Sequence, residues 1–189
     1  MRSLLDTIKE SNATVVDELV PGLLSVGDVH KVLQNLLRER VSIRDLVLIL
    51  ETLANVASRI KNSELLTEYV RNSLATRICE VYKSDDTIIP VITLDPNLEA
   101  RLEGALQEVD GTFRFSLPPT DVAKIIEKTS EVIEQVKTTG ELPIVICAPT
   151  IRGQFKRLME SSHRDLVVLS YNEIIPGVEI RSLGMISTT

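Results

Sequence analysis

Residues 25–57 read SVGDVHKVLQNLLRERVSIRDLVLILETLANVA, and start signals and spacing place two helices in them. Ser25 with Asp28, and Ser42 with Asp45, form S-x-x-D pairs. In each pair the serine can accept from the backbone N–H three residues on while the aspartate reaches back, a reciprocal arrangement that opens helices. In the first helix Val29, Val32, Leu33, Leu36 and Leu37 share one stripe, leaving His30, Lys31, Gln34 and Arg38 for water. In the second, Ile43, Leu46, Val47, Leu48, Ile49, Leu50, Leu53 and Ala54 surround the axis. That pattern predicts burial on every side and makes this helix the hub of its domain.

Upstream, Leu4, Leu5 and Ile8 begin an amphipathic helix, continued by Val15, Val16 and Leu19 after a break near Ser11-Asn12 and ended by Pro21-Gly22. Downstream, Ser63 is expected to cap one further helix carrying Leu66, Tyr69, Val70, Leu74, Ile78 and Val81. Residues 1–84 therefore read as an all-helical domain.

From Thr87 the pattern changes. Thr87 to Leu94 is β-branched and apolar; Asp95-Pro96 is an N-cap followed by proline at the first helical position, and Leu98, Leu102, Ala105, Leu106 and Val109 form a helical stripe. Phe113-Arg114-Phe115 reads as a short strand or loop. Thr120 then caps a long helix along Val122, Ile125, Ile126, Thr129, Val132, Ile133 and Val136, stopped by Gly140. Ile144–Cys147 and Leu166–Leu169 are short apolar runs on either side of a helix bearing Ile151, Phe155, Leu158 and Met159, which is a βαβ signature. Val178 to Ile186 closes as an edge strand. The expected fold class is α+β: an all-helical domain, 1–84, followed by a small α/β domain with a mixed sheet, 85–189.

Charge supports that boundary. Residues 1–83 carry 11 Lys/Arg and 11 Asp/Glu, whereas residues 84–189 carry 10 and 16. The whole acidic excess of the −6 chain lies in the second part, which argues against nucleic acid there because phosphate contacts need positive potential. Aromatic residues make up 3% and Trp is missing, so the cores must be Leu, Ile and Val. Cys79 and Cys147 give neither a disulfide framework nor a metal spacing, and suit the reducing cytoplasm. No run approaches the roughly 20 apolar residues that span a bilayer.

Chemistry-bearing motifs are few. There is no G-x-G-x-x-G and no Gly-Lys-Ser/Thr phosphate loop, and neither cofactor nor metal is expected. Cys147, at a strand end before a helix, is the best nucleophile on offer, with His163 as a conceivable base; a buried Cys acting as a small hydrophobe is the plainer account. Arg38, Arg40 and Arg44 sit where two helices meet, as in a helix-turn-helix DNA-binding regulator. The second helix nevertheless offers Leu46 to Leu50 where a recognition helix presents polar groups.

Three stretches near the start resemble the C-terminal cytoplasmic region of the FlhA export-gate family. They are Glu18-Leu19-Val20-Pro21, the run from Val32 to Leu46 (VLQNLLRERVSIRDL), and Ile49-Leu50-Glu51-Thr52-Leu53. Ile92–Pro96, Leu142–Cys147, Ile151-Arg152 and Leu169–Ile174 recur in the family's order, so the likeness covers essentially the whole chain. LSYNEI and VSIRDL resemble flagellar members more than those of virulence type III secretion. The resemblance implies a non-enzymatic docking platform for export chaperones and substrates, working beside other export-apparatus proteins on the cytoplasmic face of the inner membrane. It also implies a homo-oligomeric ring, a longer parent with a membrane-spanning N-terminal half, and a chaperone pocket upstream of these residues. With a ring, Arg38, Glu39, Arg40 and Arg44 become candidate subunit-interface residues, since the arginine fork suits protein contacts. Salt bridges inside the domain would use the same four equally well.

Overall fold

A computed structural model describes residues 2–188, which separate into two compact units, 1–78 and 79–189. The first unit is helical. Helix α1 (Arg2–Asp17) is interrupted at Asn12, whose φ −136° and ψ 52° leave helical space, where the sequence predicts a break. A π-helical turn (Glu18–Leu23) follows, with a cis peptide before Pro21. Next come α2 (Val26–Arg38), α3 (Leu46–Ala57), α4 (Ser63–Ser73) and α5 (Ala75–Tyr82). The capping box of α2 forms as expected: Asp28 N–H donates to Ser25 Oγ at 3.1 Å, and Ser25 N–H to Asp28 Oδ2 at 2.9 Å. Helix α3 packs against α1, α4 and the π-helical turn. It is buried on one face only, through Leu46, Ile49, Leu50, Leu53 and Ala57; Val47 and Leu48 are half-buried, and Glu51 and Asn55 face solvent.

Two further expectations shift. Asn62, not Ser63, caps α4, its Oδ1 accepting from the N–H groups of Glu64 and Leu65 at 2.9 and 3.3 Å. The single helix expected through Val81 is broken at Leu74. Its buried face runs through Leu66, Thr67, Val70 and Arg71, while Tyr69 and Val81 are exposed. The polar Thr67 and Arg71 turn inward because α2 supplies partners for both. Asn35 Nδ2 donates to Thr67 Oγ1 at 3.1 Å, and Arg71 pairs with Glu39 at 3.1 Å. Each rung advances four residues along both helices, so α2 and α4 run in the same direction along their contact.

The second unit is built on a parallel sheet of order β5-β4-β1-β6, comprising β1 (Ile88–Leu94), β4 (Ile144–Cys147), β5 (Val167–Ser170) and β6 (Glu179–Ile186). An antiparallel hairpin of β2 (Leu106–Val109) and β3 (Thr112–Phe115) supplies the other sense of pairing. Helix α6 (Pro96–Ala105) opens as predicted, Asp95 Oδ1 accepting from Asn97 and Leu98 N–H. It stops before Leu106 and Val109, which belong to the hairpin. Asp110 and Gly111, at φ 52° and 72°, make its two-residue turn, the geometry that D-G favours between strands. Helix α7 (Pro119–Thr138) starts one residue before Thr120, because the fixed φ of Pro119 already suits the first helical position. Val132 of α7 lies against β6 at Gly184, where an added Cβ would come within 3.1 Å of Val132 Cγ1.

Strand β4 is buried along its whole length, as expected of a strand covered on both faces. It leads through α8 (Arg152–Met159) to β5 and completes the βαβ unit. Ile92, Ile125, Ile133, Val145, Phe155, Met159 and Val168 are among the residues of the core.

Candidate interface at the α2–α3 corner

The seven residues from Glu39 to Asp45 carry three of the four candidate positions, with Arg38 closing α2 immediately before them. Helix α2 ends in a Schellman arrangement. Val41 N–H donates to Leu36 O at 2.9 Å and Arg40 N–H to Leu37 O at 3.0 Å, while Val41 and Leu36, both buried, form the accompanying apolar contact. This places Arg40 at the position glycine usually fills, and its φ is 59°. A left-handed arginine costs about 1 kcal/mol relative to glycine.

The second expected capping box is not built. Ser42 Oγ instead accepts from Arg44 N–H at 3.3 Å, and α3 starts at Leu46 with Asp45 at its N-cap making no side-chain cap bond. The Schellman turn draws Val41 into the core, which leaves residues 42–45 as a connecting segment outside helical space.

The four candidates are thereby divided. Arg38, Arg40 and Arg44 are exposed and give this corner a local positive charge. Glu39 turns inward, its carboxylate 3.1 Å from the buried guanidinium of Arg71, so it is a structural member of the α2–α4 contact. Sequence reasoning missed Arg71. Its signal was the matched spacing of Asn35/Glu39 and Thr67/Arg71.

Neither alternative chemistry gains from the geometry. Cys147 is fully buried, with Sγ 3.9 Å from Leu169 O, and it pairs with Ser170 at the carboxyl end of the sheet. His163 precedes β5 at the amino end and bonds Ser130 Oγ at 2.7 Å. Nucleophile and base therefore lie at opposite ends of the parallel strands. A groove-reading α3 would present Val47, Leu48, Glu51 and Asn55, a face with a carboxylate and no cation. Among the described residues no cluster of His, Cys, Asp and Glu could hold a metal ion, and no helix is long and apolar enough to cross a membrane.

Other buried charges serve the fold. Lys156 donates to the carbonyls of Arg164 and Leu166 at 2.6 and 2.8 Å, and Arg152 to that of Val168 at 3.2 Å. Ser170 N–H donates to Glu173 Oε2 at 2.7 Å in a capping box over the turn Tyr171–Glu173.

The FHIPEP family model matches residues 1–179. The chain belongs to the FHIPEP family. It is 38% identical over 185 residues to the flagellar biosynthesis protein FlhA of Bacillus subtilis, covering 98% of this chain and 27% of that protein. The chain thus spans about a quarter of the length of the curated relatives it matches. Among solved structures, the Chlamydia pneumoniae CdsV protein in complex with CdsO gives a TM-score of 0.88 at 32% identity, covering 98% of this chain and 54% of that one. Nonameric EPEC SctV-C gives 0.87 at 27% identity, covering 97% and 55%. This family member is accordingly related to flagellar biosynthesis and type III export proteins over nearly its whole length.

Proposed function

We propose that the chain is part of the cytoplasmic platform of a flagellar type III export gate, a non-catalytic module that helps dock export chaperones and their substrates. The observation that carries this reading is the match to the FHIPEP family over 1–179 together with 38% identity to a flagellar FlhA. The flagellar system is favoured over a virulence one by the 38% identity to the Bacillus subtilis FlhA alone, since other flagellar FlhA proteins, at 31–34%, are about as similar as CdsV at 32%.

The platform works as a homo-oligomeric ring at the inner membrane, held there by membrane-spanning parts of a longer parent. A nonameric relative supports the ring, and the CdsV–CdsO complex supports contact with other export-apparatus proteins. Within the ring, Arg38, Arg40 and Arg44 meet carboxylates of a neighbouring copy, while Glu39 holds its own domain together. Exposed arginine forks at a rigid helix corner suit such a contact.

The test is made in the source organism, with culture supernatant assayed for exported hook and filament proteins. Removing 85–189 from the parent is expected to stop export while the truncated protein remains in the membrane; normal export would overturn the export reading. Arg38→Glu with Arg44→Glu is expected to reduce export and ring formation at unchanged protein level. Normal rings and export in the Arg38→Glu, Arg44→Glu variant would overturn the interface and leave the export reading standing.

A further inference from the structure

At the amino ends of β4 and β5 lies a cavity of about 300 Å³, lined by Ile133 and Lys137 of α7, Leu142 before β4, and His163, Arg164, Asp165 and Leu166 of the loop before β5. Its floor is apolar: Ile133 and Leu166 are 1% and 5% exposed, and Leu142, 52% exposed, forms a lip. Its rim carries two cations, Lys137 and Arg164, and the imidazole of His163, fixed by its 2.7 Å bond to Ser130 on α7. The loop is held from beneath, because buried Lys156 of α8 grips the carbonyls on either side of Asp165. A site of this build is preorganised, and its volume is at the small end for ligand pockets.

Two acids accompany these cations. Glu134 pairs with Lys137 at 2.8 Å, but both side chains are about half exposed, and such a pair contributes little and is readily exchanged for another carboxylate. Asp165 is itself part of the lining and has an interaction of its own. We propose that this cavity binds an apolar carboxylate, its hydrocarbon group on Ile133, Leu142 and Leu166 and its carboxylate between Lys137 and Arg164. The proposal does not rest on the export reading. The shared chemistry has two sources, the C-terminal residue of a polypeptide and a free short-chain acid.

A pH signature follows. In the free protein burial, and then the charge of Lys137, hold His163 below the ordinary imidazole value, with Glu134 acting weakly the other way. A bound carboxylate offsets the field of Lys137 at the imidazole, so binding favours protonation of His163. Affinity therefore rises as pH falls from about 7.5 to about 5.5.

The chain has two histidines, so His30→Gln assigns the His163 ring resonances in NMR spectra of the full chain. Titration with N-acetyl-leucine is expected to give a saturable shift of that ring, and N-acetyl-leucinamide none. Lys137→Gln is expected to weaken binding about tenfold at an unchanged melting temperature, with Arg164→Gln as the second variant. His163→Gln should retain binding at about pH 7.5 and lose the rise toward acid. Tighter binding of N-acetyl-leucyl-leucine supports the site with a polypeptide terminus as source; equally tight binding of hexanoate supports it with a free acid. Equal binding of acid and amide, no saturable shift, or unchanged affinity in both cation variants would overturn the proposal.

Discussion

At the residue scale, Asp28 shows how one carboxylate couples local structure to pH. It accepts from Ser25 Oγ at 2.6 Å and from Ser25 N–H at 2.9 Å. The bond from the serine hydroxyl, then the backbone bond, then the charges of Lys31 and Lys61 hold its pKa below the ordinary aspartate value, against a smaller upward push from burial. A carboxylate with a depressed folded pKa binds fewer protons folded than unfolded. Its contribution is thus fully present above the unfolded value of about 3.9 and is lost as pH falls through the folded value. Urea denaturation of Ser25→Ala at neutral pH is expected to show a loss of about 1 kcal/mol. Asp28→Asn should begin to lose its deficit relative to the parent below about pH 3.9 and lose most of it only as pH falls through the lower folded value, where Asp28 becomes protonated in the folded parent as well. A deficit that stays constant across the acid range would show that charge plays no part in the cap.

Among elements, the α2–α4 contact shows both what a single sequence discloses and what it hides. The stripe of α2 was legible at Val29, Val32, Leu33 and Leu36, which are buried as the spacing predicts, whereas Leu37, read on the same stripe, lies at its edge and is 53% exposed. The face of α4 was misjudged because Thr67 and Arg71 are buried against partners thirty-two positions earlier in the chain, Asn35 and Glu39. Periodicity weighs each residue against water and has no entry for such a partner. The same difference explains the second unit. Asp95-Pro96 and the β4-α8-β5 unit carry local signals and were read, whereas the end of α6 depended on pairing across the hairpin. Of the candidate interface, the exposure of the arginines was legible and the inward turn of Glu39 was not, since it needs Arg71. Measured as a double-mutant cycle, Glu39→Gln and Arg71→Met are each expected to destabilise by about 2–4 kcal/mol, and the double variant by less than their sum, because each single change removes the Glu39–Arg71 ion pair while one of its charges stays behind. Strict additivity would mean that the pair is not energetically coupled.

For the whole molecule, the question is where one folding unit ends and the next begins. Charge and turn residues mark 84/85, and we take 1–84 and 85–189 as the functional domains; the compact units divide between Ile78 and Cys79, inside α5. The chemistry at that position is specific. Cys79 is 1% exposed, and its thiol donates to the carbonyl of Glu173 at 2.9 Å, on the turn that follows β5. A fragment beginning at residue 85 keeps every strand of the sheet but leaves that carbonyl without its donor and opens an apolar gap where Cys79 packs. A fragment beginning at residue 75 retains α5 and fills the site. Both fragments are expected to fold, with the shorter less stable by about 2 kcal/mol in chemical denaturation. Cys79→Ala in the longer fragment should reproduce roughly half of that difference, since it removes the thiol and keeps the helix. Coincident midpoints for the two fragments would place the energetic boundary at 84/85, with α5 serving only as a connector.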